Sequence, residues 1–401
     1  MTSLLWRKLI KAIHKISSEK APGSDSIPIE IYKYGGKNFI EKLHIILKRS
    51  WKSETVPQNF RDATIIHLYK RKGNRQSCNN HRGISLLSIA GKIFARILLN
   101  HLTSHLNEGL LPESQCGFRK EHGTTDMIFA ERQLQEKCQE QHCDLYTAFI
   151  DLTKAFHTVS RVGLWKILAK YGCPQKFITI VKQLHDGMQA RVQDDGELSE
   201  MFPVSNGVKQ GCVLAPTLFS IMFSAMLDDA FRDLDLGVNI IYRIDGQLFN
   251  LRRLRAKTKV KSHTIRDLLF ADDCALNANT EADLQSIIDR ISKACTNFGL
   301  TINTEKTEVM LQPAPGKSYF EPCIKVNGVA LKVVNRFTYL GSTLSQDANV
   351  DDEVYTRIAK ASSTFGTLYA NVWRRNGINL QTKLKVYRAV VFPVLLYASE
   401  T

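Results

Sequence analysis

The sequence lacks any uninterrupted apolar run near the ~18 residues that a membrane-spanning helix requires, so it predicts no integral membrane protein. It also lacks a Cys-x-x-Cys pair among its nine cysteines, which leaves a structural zinc site without sequence support. An odd, scattered set of cysteines fits a reducing compartment better than a disulfide framework. We therefore expect an intracellular chain with no disulfide partner.

Acidic residues are scarce relative to basic ones. The chain has 54 Lys and Arg against 39 Asp and Glu, a formal net charge of +15. A persistent positive field attracts polyanions, so nucleic acid is the first partner to consider. Simple solubility is the alternative explanation of this charge.

No internal repeat or long linker divides the 401 residues, a length that favours two or three structural units. Residues 1–140 read mainly as helices around one basic extended segment, Ala63 to Lys72. Residues 144–311 alternate short apolar strands with helices, and Lys325 to Thr343 indicate a small β element. From Asp351 onward the apolar spacing is helical.

Two apolar strands end on carboxylates. Leu145 to Asp151 reads as a buried strand, and Leu152 to Tyr171 then reads as a helix. Asp151 alone therefore fits a helix N-cap as well as a functional acid.

The second candidate is Leu268 to Leu276, where two apolar strand halves flank adjacent acids. This pattern predicts a β-hairpin with Asp272 and Asp273 at its tip. A plain turn explains one Asp there, but two adjacent carboxylates in apolar surroundings repel, and a divalent cation relieves that repulsion. If the two strands are neighbours, Asp151 and Asp272 meet at one sheet edge. That arrangement suits two Mg²⁺ ions roughly 3.5–4 Å apart.

Eight short segments resemble motifs of one family. The central three are Phe149 to Phe156, Gly207 to Pro216 and Phe270 to Asp273. Segments similar to fingers signatures are Lys20 to Pro28, Asn80 to Leu87 and Ser114 to Lys120. Ile302 to Glu308 and Phe337 to Gly341 resemble two later palm motifs. In this order, the set resembles the reverse transcriptase of non-LTR (LINE-type) retrotransposons.

The resemblance implies an α+β, right-hand polymerase with an antiparallel palm sheet packed on helices. Fingers would occupy residues 1–140, palm 141–345 and thumb 346–401, the thumb being cut short. The palm would include fingers-type helices at 160–205 and a basic insertion at 242–265. The implied partners are an RNA template, a DNA primer and dNTPs, and the nucleus or cytoplasm is the expected compartment.

The resemblance also assigns site residues. Asp151, Asp272 and Asp273 would be catalytic and would bind two Mg²⁺ ions, or Mn²⁺ in their place, with the backbone carbonyl of Leu152 as a further ligand. Phe156 would exclude the ribose 2′-hydroxyl, although it also fits a core phenylalanine. The remaining implied nucleotide-binding residues are Lys70, Arg82, Gln210 and Lys306. The segment Ala63 to Lys72 also fits a solvated basic strand, and Lys306 also fits an exposed loop lysine.

A basic run precedes the hairpin and is predicted to contact the template–primer backbone; its members are Arg252, Arg253, Arg255, Lys257, Lys259 and Lys261. A solvated charge run explains it equally well.

The phenylalanine that excludes the 2′-hydroxyl is called the gate, and Phe156 takes that position by resemblance. The family usually has an acid directly after the gate, where this chain has His157. The proposed activity is RNA-directed DNA polymerisation. The alternatives are an RNA-dependent RNA polymerase, against which Phe156 argues, and a silent relic or maturase-like protein that only binds nucleic acid.

Overall fold

The structure is a computed structural model that describes residues 2–71, 73–106, 110–209, 211–244 and 259–401. These residues form a mixed α/β fold with several sheets. Within them, no helix is both long enough and apolar enough to cross a bilayer. None of the cysteines in these ranges forms a disulfide bond.

The helices follow one another along the chain with these bounds: α1 (Thr2–Lys15), α2 (Ile29–Tyr34), α3 (Gly36–Ser53), α4 (Gln58–Arg61), α5 (Ile89–Leu106), α6 (Thr124–Glu140), α7 (Ala155–Thr158), α8 (Arg161–Lys170), α9 (Gln175–His185), α10 (Ala215–Ala230), α11 (Glu281–Phe298), α12 (Asp351–Thr367), α13 (Leu380–Val386) and α14 (Phe392–Leu395). A 3₁₀ turn spans Cys78–Asn80, and π-helical turns span Tyr369–Trp373 and Tyr387–Val391.

The strands have these bounds: β1 (Ala63–Tyr69), β2 (His81–Leu86), β3 (Leu145–Ile150), β4 (Gln189–Asp194), β5 (Glu197–Leu198), β6 (Phe202–Pro203), β7 (Val238–Arg243), β8 (Val260–Ile265), β9 (Asp267–Phe270), β10 (Asp273–Ala278), β11 (Glu308–Gln312), β12 (Lys325–Val326), β13 (Val329–Ala330), β14 (Lys332–Val333), β15 (Arg336–Tyr339) and β16 (Ser342–Ser345).

The chain forms two compact units, and each draws on separated stretches of sequence. The first unit comprises residues 1–113, 154–228 and 296–300; the second comprises 114–153, 229–295 and 301–401. The division into fingers, palm and thumb stays a prediction.

The first unit contains a sheet of order β2-β1-β4-β5, with β6 paired to β4. Strand β1 runs antiparallel to β2 and parallel to β4. The first unit's core includes the apolar face of α10, whose buried members are Leu218, Phe219, Met222, Phe223, Met226 and Leu227. Burial of each such side chain contributes about 1.5–3 kcal/mol. Pro216 lies in the first turn of α10, where its missing N–H costs no helical hydrogen bond.

The second unit contains a sheet of order β14-β11-β3-β10-β9. Its pairs are antiparallel except β11 with β14, which is parallel. Strand β3 lies between β10 and β11 and is almost wholly buried, as expected for a strand covered on both faces. The ring of Phe149 stacks on Phe337 with 3.8 Å between centroids.

Two secondary-structure predictions were wrong. Residues 160–205 are not all helical, because β4, β5 and β6 lie after α9 in this range. Residues 152–171 do not form a single helix, because α7 ends at Thr158 and α8 begins at Arg161. The Ser160 hydroxyl caps α8 by accepting a hydrogen bond from the Gly163 N–H at 3.3 Å. Helix α7 begins at Ala155 with Lys154 at its N-cap position, so the capping interpretation of Asp151 is excluded as well.

Candidate active site

Asp151 directly follows β3 and is held through its backbone. Its N–H donates to the Thr307 hydroxyl at 3.2 Å, and its carbonyl accepts from the Asn303 N–H at 2.8 Å. The next residue, Leu152, forms an isolated bridge with Ile302. These contacts fix the Asp151 backbone. Its side chain is 42% exposed, so the carboxylate is accessible to a ligand.

Asp272 lies at the tip of the β9–β10 hairpin, as the sequence predicts. Phe270 pairs with Asp273, so Ala271 and Asp272 form the turn. Asp273 was also predicted at the tip, but it is the first residue of β10. Ala271 has φ +62°, an uncommon conformation for a non-glycine residue. The buried Gln115 side chain stabilises this turn, because its Oε1 accepts from the N–H groups of Ala271 (3.0 Å) and Gly117 (2.9 Å).

Strands β3 and β10 bring the acidic residues together. Cys274 pairs with Ile150 in the antiparallel ladder, and continuing that register places Asp273 opposite Asp151. Close packing, followed by the charges of Asp272 and Asp151, raises the pKa of Asp273 to about 6. Part of the Asp273 side chain nevertheless stays exposed to solvent. Three carboxylates therefore share one region and destabilise one another's charge.

The donor set fits a hard divalent cation. Carboxylate oxygens are the ligands that Mg²⁺ prefers, and a cation relieves the repulsion that raises the Asp273 pKa. Within the described ranges, no three His, Cys, Asp or Glu side chains form a ready-made cage for a metal ion. Mg²⁺ does not need one, because it commonly binds through one or two carboxylates, water and substrate phosphates.

Lys306 lies beside this acidic region. Its Nζ is 3.8 Å from Asp151 Oδ1, and the lysine side chain is 62% exposed. Exposed pairs of this kind contribute little stability, about 0–1 kcal/mol. Lys306 is therefore an exposed cation at the edge of the acidic region rather than a stabilising ion-pair partner.

Phe156 belongs to the first unit, where it is half-buried. One contact is a stack on the buried Phe219 ring, with 4.7 Å between centroids. The Phe156 carbonyl accepts from the Val208 N–H at 2.8 Å. The ring is thus both a packing element and partly open, so the core and gate interpretations are compatible.

Arg161 holds the loop that carries Gly207, a role that no local sequence pattern indicates. Its buried guanidinium donates to the carbonyls of Gly207 (2.9 Å), Val204 (3.0 Å), Asn206 (3.2 Å) and His185 (2.8 Å). These carbonyls offset the cost of burying a charge without a carboxylate partner.

Replacing Gly207 with alanine is expected to destabilise the protein strongly. Gly207 has φ +74°, and an added Cβ would lie 2.5 Å from the His157 carbonyl oxygen. The left-handed conformation costs an alanine about 1–2 kcal/mol, and the steric clash adds about 1–3 kcal/mol. Urea unfolding of the variant measures the sum.

Gly36→Ala is the matched control, because Gly36 has φ +76° and its added Cβ would meet nothing within 4 Å. It should show the conformational cost alone. Equal destabilisation by the two variants would contradict the close approach of Gly207 to His157.

Lys70 and Arg82 lie on neighbouring strands of the first unit. Leu68 pairs with Arg82, and Lys70 is two residues beyond Leu68, so all three side chains share one face. This face is open to solvent, since Leu68 is 49% exposed and both cations are exposed. Two positive charges on an open face suit a polyphosphate.

Of the other residues predicted to contact nucleotide or nucleic acid, only Lys259 and Lys261 lie among the described residues. Gln210, Arg252, Arg253, Arg255 and Lys257 lie outside the described residues. Lys259 precedes β8 with φ +58°, and Lys261 lies in β8, paired with Tyr242 of β7. Both interpretations of this basic run stay open.

Comparison with known proteins points to polymerases. The family model for reverse transcriptase (RNA-dependent DNA polymerase) matches residues 69–344. The chain is 25% identical over 412 residues to the RNA-directed DNA polymerase from mobile element jockey of Drosophila melanogaster, covering 99% of this chain and 41% of that protein. It is 24% identical to a probable RNA-directed DNA polymerase from transposon BS of the same species, covering 97% of this chain and 41% of that protein.

A more distant relative is the Pol polyprotein of the retrotransposable element R2DM from Drosophila melanogaster, 25% identical over 73% of this chain and 25% of that protein. The sequence resemblance to polymerases of non-LTR elements is thereby confirmed. The chain spans well under half the length of each of these relatives.

Proposed function

The chain belongs to the reverse transcriptase (RNA-dependent DNA polymerase) family, and on that premise we propose that it extends a DNA primer on an RNA template with dNTPs. The reaction joins the primer 3′-hydroxyl to the α-phosphorus of a dNTP and releases pyrophosphate. The observation that carries the proposal is the β3–β10 register, which brings Asp151 next to Asp273 beside the tip residue Asp272.

Asp151, Asp272 and Asp273 would hold two Mg²⁺ ions, or Mn²⁺ in their place, with the Leu152 carbonyl as a further ligand. When bound, such ions lower the pKa of the primer hydroxyl and neutralise charge on the triphosphate. No protein nucleophile is required, since positioning and charge neutralisation suffice.

The other residues would bind the nucleotide. Lys70 and Arg82 offer their exposed cationic face to the triphosphate, and the family resemblance assigns Gln210 to nucleotide binding as well. Lys306, beside Asp151, supplies positive charge for the departing pyrophosphate. Phe156 excludes the ribose 2′-hydroxyl. Fingers, palm and thumb are the proposed layout, with the basic run before the hairpin following the template–primer backbone.

A primer-extension assay tests the proposal. The purified chain is given an annealed RNA template and DNA primer with Mg²⁺ and either dNTPs or NTPs. The chain is expected to extend the primer when dNTPs are supplied and not when NTPs are supplied. Extension with NTPs alone would instead support an RNA polymerase.

One observation favours a second candidate, a protein that binds nucleic acid without extending it. His157 replaces the acid that the family usually has at this position, which removes a negative charge next to Phe156. It is not one of the proposed metal ligands, so the polymerase proposal stands first. Tight binding of template–primer without any extension would support the second candidate.

A further inference from the structure

Three polar side chains form a closed, fully buried cluster in the second unit. Glu131 of α6, Thr147 of β3 and Asn277 of β10 are each 0% exposed. Glu131 Oε1 is 3.1 Å from Thr147 Oγ1, and Glu131 Oε2 is 3.2 Å from Asn277 Nδ2. Thr147 Oγ1 is 2.8 Å from Asn277 Oδ1, which closes the ring.

A count of protons shows that an ionised Glu131 cannot satisfy this ring. The Thr147 hydroxyl has one proton, yet both of its neighbours here are oxygen atoms. If it donates to Asn277 Oδ1, the contact with Glu131 Oε1 needs a proton from the acid. Reversing the Asn277 amide instead leaves Asn277 Oδ1 facing Glu131 Oε2, which again needs that proton. Either orientation requires a protonated Glu131.

The surroundings of Glu131 favour the neutral acid. Burial raises the pKa of Glu131 to about 7, although its hydrogen bonds with Thr147 and Asn277 act in the opposite direction. Within the described residues Glu131 has no ion pair with a Lys, Arg or His side chain. The titratable groups that sense its charge are Tyr339 of β15 and Cys138 of α6, and both are neutral at pH 7 because their own pKa values are raised.

The cluster occupies a decisive place in the sheet. Thr147 and Asn277 are a register pair of the β3–β10 ladder. Asp151 follows Thr147 by four residues, and Asp273 precedes Asn277 by four residues, so both acids lie at the same end of the antiparallel pair. A one-residue slip would turn Thr147 or Asn277 to the opposite face, leave its buried partners unsatisfied, and separate the two acids.

We propose that Glu131, acting as a buried protonated donor to Thr147, is a positioning residue that locks the register of β3 and β10 and thereby aligns Asp151 with Asp273. The lock itself depends only on the fold. Its consequence for metal binding and primer extension rests on the proposed function.

The variant Glu131→Gln is the decisive test, because its amide can donate to Thr147 and accept from Asn277 as a protonated Glu131 does. Unfolding of this variant and of the wild type would be followed from pH 5 to pH 8.5. Ionisation of Glu131 is suppressed by folding, so wild-type stability should fall relative to the variant as pH rises from about 4.5 to about 7. The folding equilibrium constants should differ by roughly 10²-fold above pH 7.5, at tenfold per unit of pKa shift.

Glu131→Ala removes the donor altogether and should weaken Mn²⁺ binding by about 10-fold or more, in the range seen when a group supporting a ligand is lost. Glu131→Gln should keep wild-type Mn²⁺ affinity and extension rate at pH 6.5. The ratio of Glu131→Gln to wild-type extension rate should rise between pH 6.5 and pH 8.5, a trend that loss of packing alone would not produce.

Gln135→Ala provides the control, since Gln135 is also buried on α6 and donates to the Ser345 carbonyl at 2.9 Å. It should lose stability equally at every pH and bind Mn²⁺ normally. The proposal would be overturned if Glu131→Gln were as unstable as Glu131→Ala at pH 6. It would also be overturned if the difference in stability between the wild type and Glu131→Gln did not change with pH. If Glu131→Ala fails to fold, the Gln comparison alone decides.

The two proposals fail differently. Stability and Mn²⁺ affinity are measured without nucleotide or primer. A wild-type chain that shows the pH-dependent difference and binds Mn²⁺ but never extends a primer would overturn the proposed polymerase activity and support the lock.

Discussion

Asp272→Asn is expected to lower single-nucleotide extension by about 10²–10³-fold while leaving the fold intact. Asparagine keeps the size of the side chain at the hairpin tip but removes the charge. Metal-assisted charge stabilisation contributes several kcal/mol to such reactions. Because about 1.4 kcal/mol corresponds to tenfold in rate, losing ~3–4 kcal/mol gives the stated decrease. Rapid-quench measurement of one dNTP addition reports it directly.

Asp195→Asn is the charge-matched control. Asp195 and Gly196 connect β4 to β5 with φ values of +45° and +90°, and an Asn-Gly pair is well suited to such a turn. This control should extend primers at the wild-type rate. Wild-type extension by Asp272→Asn would remove Asp272 from the catalytic site.

Phe156→Val is expected to admit ribonucleotides. The sequence places Phe156 five residues after Asp151, where the family resemblance assigns the gate, and the structure leaves the ring half-buried against Phe219. Shrinking a side chain that excludes one hydroxyl typically changes discrimination by about 10–200-fold. The ratio of kcat/KM for dNTP to kcat/KM for the matching NTP should therefore decrease by about 10–200-fold.

Phe156→Tyr retains the ring and should retain the preference for dNTPs. Because valine also loses packing on Phe219, unfolding measurements must show that both variants remain folded at the assay temperature. Undiminished preference in a folded Phe156→Val would contradict the gate and favour a purely structural Phe156.

Local patterns predicted much of the acidic region correctly. Two apolar runs flanking adjacent acids predicted the β9–β10 hairpin with Asp272 at its tip, although Asp273 lies in β10 rather than in the turn. The run before Asp151 predicted β3. Pairing of β3 with β10 was a conditional inference, since strands more than a hundred residues apart have no local signal for being neighbours. The roles of the individual site residues remain predictions.

Other features depend on tertiary contacts that no local pattern contains. Apolar spacing continues through Val159 and hides the break between α7 and α8, where the Ser160 hydroxyl caps α8. Gln115, Arg161 and Glu131 look like ordinary polar residues in the sequence. Their partners lie far along the chain, such as Ala271 for Gln115 and Asn277 for Glu131.

The central claim is that Asp151, Asp272 and Asp273 together hold catalytic divalent ions. The most direct test is a Mn²⁺ titration of the chain bound to template–primer and an incoming dNTP, with a primer that lacks the 3′-hydroxyl. Saturable binding of about two ions is expected for the wild type, as in other two-metal sites. Asp272→Asn should bind fewer ions or bind them more weakly. Identical titrations of the two proteins would contradict the claim.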